Sequence, residues 1–155
     1  MDLVDIQSAL GGTSKGQSLH DFMRLLYPIC RSITGEGVRQ TLRHLQQHIP
    51  LDIREVASGT KVFDWTVPLE WNIRDAYIAT TAGERVVDFQ NSNLHVVGYS
   101  TPIKGRYRRE ELAGHLYSLP DRPDWIPYRT SYYKENWGFC LTHRQLTELE
   151  DSEYE

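Results

Sequence analysis

The sequence predicts an α+β fold, with helices first, then a run of short strands, then mixed pieces. Two observations carry this. Apolar residues recur at helical spacing up to Ile49, and from Leu51 onward they alternate or cluster as in strands. Prolines 28 and 50 close the two helical stretches, and segregated helices and strands belong to α+β rather than to a regular βαβ alternation. The chain has 155 residues, which fits one domain or part of a larger one.

Residues 1–17 read as a loosely held leader, a short helix over Asp5 to Leu10 followed by a flexible linker from Gly11 to Gly16. The first firm helix is expected from Ser18, a good N-cap, with Asp21 near the positive end of the helix dipole. Leu19, Phe22, Met23 and Leu26 recur as a stripe expected to be buried, and Pro28 ends the helix. A second helix is expected from about Thr34 to His48, with Val38, Leu42, Leu45 and Ile49 on one face. A short connection joins the two, so they are expected to pack as a helical hairpin.

Leu51–Arg54, Lys61–Trp65 and Trp71–Ile78 read as extended. Thr81–Glu84 is a turn that makes a hairpin of Tyr77–Thr80 and Arg85–Phe89. Leu94–Ser100 is a further strand, Arg109–Leu116 is helical, and Trp137–Leu141 is a last apolar strand. Thr142 and Gln145 match a capping box, and the acidic tail Glu148–Glu155 is expected to fray.

Composition limits the function. Lys and Arg number 17 against 21 Asp and Glu, a net charge of −4, which argues against a general nucleic-acid binder. A mean hydropathy of −0.53 and no run of about 20 apolar residues argue against a membrane span. The first residues lack the basic and apolar regions of a secretory signal, and two cysteines make no disulfide framework, so a reducing cytoplasm is expected.

Motifs for catalysis are weak. His44 and His48 have the i,i+4 spacing that can hold a metal, but the intervening Leu-Gln-Gln lacks the zincin glutamate and both fall off the apolar face, so two exposed histidines are the expected reading. No Gly-x-Ser-x-Gly elbow occurs, and Cys140 sits in an apolar strand as an inert thiol would. Ser32–Gly37 opens a helix, where an anion or an ordinary cap fits. Lys104-Gly105-Arg106-Tyr107-Arg108-Arg109 is the one basic cluster, beside Glu110 and Glu111. More distinctive are two segments dense in amphipathic aromatics, 61–72 and 126–139, which suit the lining of a groove or an ordinary semi-wet core.

Several blocks resemble one family. Leu26-Tyr27-Pro28-Ile29-Cys30-Arg31-Ser32-Ile33-Thr34-Gly35-Glu36-Gly37-Val38-Arg39-Gln40-Thr41-Leu42, Phe63-Asp64-Trp65-Thr66-Val67-Pro68-Leu69-Glu70-Trp71-Asn72, Asn93–Ser100 and Ile126–Cys140 resemble, in order, the bacterial aminopeptidase-like proteins, over about residues 18–145. The resemblance implies a zinc-dependent α/β core interrupted by a β-rich inserted domain and followed by a winged helix. On this view residues 18–60 are helices and first strand of the core, 61–142 the insert, and 143–155 a helix and acidic tail, parts of an incomplete α/β architecture. The family's metal-binding block has no counterpart here, so no catalytic or metal residue carries over. Zinc is expected for the complete protein only, and this chain is expected to be silent alone.

In a complete protein Arg31, Trp65, Glu70, Trp71, Tyr128, Arg129, Tyr132 and Tyr133 are candidates to line a groove. Arg31 and Arg129 suit a carboxylate, and Glu70 suits an amine. The competing reading is a binding module for a peptide, sugar or protein, without hydrolysis. Peptides or small molecules are the expected partners, with neither nucleic acid nor membrane. An uncovered Val38/Leu42/Leu45/Ile49 face would favour self-association.

Overall fold

The computed structural model describes residues 12–132, 134–150 and 152–155, with side chains from Lys15 onward. The fold is α+β, and its elements follow the expected order with several displaced boundaries. Helix α1 (Gly12–Leu26) starts well before Ser18. Gln17 Nε2 donates to Asp21 Oδ1 at 2.9 Å, an i,i+4 pair that supports the helix across the expected start. The Asp5–Leu10 helix lies outside the described residues. The expected burial of the α1 stripe is not met: Leu19 is exposed and Met23 is 67% exposed. Phe22 finds cover, its ring edge lying against His48 with centroids 4.8 Å apart.

Helix α2 (Glu36–Gln46) is shorter than expected at both ends and buries none of its residues fully. Val38, Leu42 and Leu45 are half-buried and Ile49 is exposed. Its N-terminus begins after Gly35, at φ 95°, a left-handed conformation that glycine adopts without strain. Residues Leu51–Arg54 form no strand. Alternation alone gives no partner edge, and Arg54 folds back onto Asp52 at 2.6 Å.

The single extended stretch expected over Lys61–Trp65 is instead a hairpin of β1 (Lys61–Val62) and β2 (Trp65–Thr66). Its turn places Phe63 at φ 54°, with the ring fully exposed. Strands β3 (Tyr77–Ala79) and β4 (Arg85–Asp88) make the expected antiparallel hairpin, with Ile78 opposite Val87 and an irregularity at Ala79. The strand expected from Trp71 begins only at Tyr77, because Trp71 and Asn72 bond to the α2 region instead of to a ladder.

Leu94–Ser100 is not a strand. A 3₁₀ turn covers Asn93–His95, isolated bridges follow at Val96 and Gly98, and Tyr99 turns the chain away at φ 66°. Strand β5 (Tyr107–Arg108) leads into α3 (Arg109–Leu112), a second 3₁₀ turn and β6 (Leu116–Tyr117), so the expected helix is shorter and gives way to a strand at Leu116. β6 pairs in parallel with β7 (Phe139–Cys140). The capping box opens α4 (His143–Glu148) as expected: Gln145 N–H donates to Thr142 Oγ1 at 3.1 Å, and Thr142 N–H donates to Gln145 Oε1 at 3.0 Å.

The tail does not fray. β8 (Glu153–Tyr154) pairs antiparallel with β5, and Ala79 and Glu155 exchange backbone hydrogen bonds of 2.7 and 2.9 Å. Charge dominates the tail's sequence, but a single aromatic anchors it: Tyr154 is 3% exposed. It completes a core of Ile78, Val87, Leu112, Leu116 and Leu141, drawn from strands and helix that are distant in sequence. Among the described residues no helix is long and apolar enough to cross a membrane.

Candidate binding cleft

One flank of this core carries a cleft of about 570 Å³, within the usual span for small-molecule sites. Segment 70–78 forms one wall and segment 100–105 another, with Tyr107, Trp137 and Tyr154 completing it. Core and cleft share residues, since Ile78, Leu112 and Tyr154 belong to both.

The first wall is set by the loop before α2. Trp71 N–H donates to Thr34 Oγ1 at 3.3 Å, and Thr34 Oγ1 lies 2.6 Å from the Tyr99 hydroxyl. The Trp71 ring stacks on Tyr99 with centroids 5.8 Å apart, and its indole N–H donates to the Ser100 carbonyl at 2.9 Å. Next to it, Asn72 Oδ1 accepts the Glu36 N–H at 2.8 Å. Of the two readings of this helix start, an anion or an ordinary cap, the structure shows a side chain of the same molecule accepting one of its free N–H groups. Opposite, Trp137 stacks face to face on His115 at 3.7 Å and meets Tyr107 at 5.4 Å. Neither Tyr99 nor His115 lines the cleft, so each backs a tryptophan from outside it.

The acids of the cleft are engaged by arginines. Glu70 is paired through both carboxylate oxygens with Arg39, which also reaches Glu55 at 3.1 Å. That hydrogen bonding to Arg39 holds the Glu70 carboxyl below its ordinary range and raises the guanidinium. Asp75 is paired with Arg85 at 2.8 Å, which likewise depresses its carboxyl. Glu155 lies 4.0 Å from Arg106.

Of the eight groove candidates, Glu70 and Trp71 line the cleft. Arg31 donates to the carbonyls of Leu26 and Ile29 and so closes the end of α1. Trp65 is exposed on the β1–β2 hairpin, and Tyr128 and Tyr132 are exposed beyond the cleft. The Arg129 guanidinium lies over the Tyr117 ring at 4.4 Å. Tyr133 lies outside the described residues. Sequence reasoning passed over Arg74, Lys104 and Tyr154 as cleft residues. Lys104 carried a signal, as a member of the basic cluster, whereas Tyr154 was hidden among acids.

Among the described residues no three His, Cys, Asp or Glu side chains converge. His95 Nδ1 lies 2.7 Å from the Cys140 carbonyl, His115 Nδ1 2.9 Å from the Trp137 carbonyl, and His143 Nδ1 2.9 Å from Ser118 Oγ. Nor is Cys140 a poised nucleophile, since burial pushes its thiol up to about 11.

The part of the chain that holds the cleft and the core is also the part with a family signature. A family model described as a domain of unknown function (DUF2172) matches residues 70–155, and the chain belongs to that family. A Clostridium acetobutylicum protein named "putative polysaccharide biosynthesis protein with aminopeptidase-like domain" is 54% identical over 140 residues, covering 90% of this chain and 32% of that protein. A crystal structure of a "putative peptidase" from Clostridium acetobutylicum superposes with a TM-score of 0.89 at 50% identity, covering 99% of this chain and 36% of that one. The chain thus resembles aminopeptidase-like proteins, as its sequence blocks indicated, and spans about a third of the length of these relatives.

Proposed function

We propose that this chain is the N-terminal, ligand-recognising part of an aminopeptidase-like protein and that it is catalytically silent by itself. The observation that carries the reading is the cleft, a concave site with tryptophan walls held from behind and acids paired with arginines that lie outside it. Its occupant is a peptide or a small molecule. The names of the relatives support the peptidase context. Zinc chemistry enters this reading for the complete protein alone.

The test has two arms. With a chromogenic leucyl substrate and zinc, the chain is expected to show no turnover above a metal-only control, and clear hydrolysis would refute silence. Ligand titrations followed by the indole N–H signals of Trp71 and Trp137 are expected to give the same affinity with and without a chelator. Binding that vanishes on chelation would refute a metal-independent recognition role.

The helical layer adds a proposal about assembly. Leu19, Met23 and Ile49 are exposed in the helical segments, where Val38, Leu42 and Leu45 are half-buried, and apolar exposure of this kind favours self-association. Sedimentation velocity is expected to show a weight-average mass that rises with concentration and falls back in Ile49→Lys. A single monomer mass at all concentrations would contradict it.

A further inference from the structure

The charges around the cleft are not balanced in the way the net charge of −4 would suggest. Each acid that lines it is turned to an arginine that does not: Glu70 to Arg39, Asp75 to Arg85, Glu155 to Arg106. The cations that line it, Arg74 and Lys104, have no acidic partner among the described residues. The basic cluster at 104–109 explains itself on the same terms. Arg106 pairs with Glu155, Arg108 approaches Glu110 at 3.8 Å, and Arg109 donates to the Leu146 carbonyl at 3.4 Å. Lys104 is the member left over, and it stands on the cleft wall.

We infer that the cleft takes an anionic small molecule, its oxyanion held by Arg74 and Lys104 and its body resting against Trp71 and Trp137. The inference rests on the binding role proposed above and specifies the ligand's chemistry. An exposed lysine alone means little, but Arg74 and Lys104 bring two cations without an ion pair to two walls of one cleft whose three acids each already pair with an arginine, so an entering oxyanion finds two open donors. Arg74 suits the task because its main chain is anchored: Gln90 Nε2 donates to the Arg74 carbonyl at 3.1 Å, while the guanidinium stays available for a two-point contact. The tryptophans are preorganised by Tyr99 and His115, so little ordering is required when a ring or an aliphatic body stacks on them. A carboxylate at the end of a peptide and a carboxylate or phosphate on a sugar share this chemistry.

Matched pairs of probes separate charge from body. N-acetyl-leucine is compared with N-acetyl-leucinamide, glucuronate with glucose, and glucose 1-phosphate serves as the phosphate arm, each titrated by calorimetry and by two-dimensional NMR. The anion of at least one pair is expected to bind roughly tenfold more tightly than its neutral partner, shifting the Trp71 and Trp137 indole signals. The pair that responds identifies the source of the anion. Arg74→Gln with Lys104→Gln is expected to remove that advantage, while Lys61→Gln, on the β1–β2 hairpin and outside the cleft lining, keeps it. Equal binding of charged and neutral partners, or an unaffected double variant, overturns the inference and leaves the cleft a neutral binding site. No shift of the cleft signals with any probe overturns both the inference and the recognition role.

Discussion

Leu141→Ala is expected to lower the stability of the fold by about 3 kcal/mol, within the ~2–5 kcal/mol span of buried leucine truncations. Leu141 is 0% exposed and sits where four parts of the chain meet: Ile78 and Val87 of the β3–β4 hairpin, Leu112 of α3, Leu116 of β6 and Tyr154 of β8. Its N–H donates to the Tyr117 carbonyl at 3.0 Å, and Thr142 follows as the cap of α4, so the main chain on both sides is pinned. A pinned backbone relaxes little, and the cavity term is then added to the lost transfer energy. The effect reaches the site, because Ile78, Leu112 and Tyr154 also floor the cleft. Urea unfolding is the measurement, with exposed Ile49→Ala as the reference expected to change stability by under about 0.5 kcal/mol. A change at Leu141 as small as that at Ile49 would show that the stability resides elsewhere in the chain.

Local signals in the sequence were legible where the cause is local. The β3–β4 hairpin rests on its own turn, with Gly83 at φ 88°, and the Thr142/Gln145 box satisfies its own helix start, so both are found where patterning places them. Elements whose form depends on distant partners were not legible. Leu94–Ser100 has the composition of a strand, yet its backbone is divided between Phe139 and Thr130 and broken at Tyr99. The tail reads as solvated charge, yet its order comes from one ring and from pairing with β5, neither visible without the fold. The cleft shows the same division. Glu70 and Trp71 stand out because their segment is dense in aromatics. Arg74 and Lys104 matter only because the acids near them are paired with other groups, a relation that exists in space and not along the chain.

Gly37→Ala is expected to destabilise the helical layer and the first wall of the cleft, against what helix propensity alone dictates. Gly37 is the second residue of α2, and replacing a helical glycine with alanine ordinarily gains stability, up to about 1 kcal/mol in a helix interior. Here a Cβ would stand 2.0 Å from the Cys30 carbonyl oxygen and 2.7 Å from its carbon. These are main-chain atoms and cannot swing aside like the end of a flexible side chain, so α2 and the loop before it must separate. Forced overpacking of this kind costs about 1–3 kcal/mol, enough to reverse the propensity gain. Displacement would pass to Thr34 and to the Asn72 contact with Glu36, and through them to the Trp71 main chain that carries the indole. The expected result is a lower unfolding free energy together with a shifted Trp71 indole signal and weakened ligand binding. The Trp137 signal, held by His115 on the other side of the cleft, is expected to change less. A variant as stable as the parent, with Trp71 unmoved, would show that the close approach of α2 to Cys30 does not position the cleft wall.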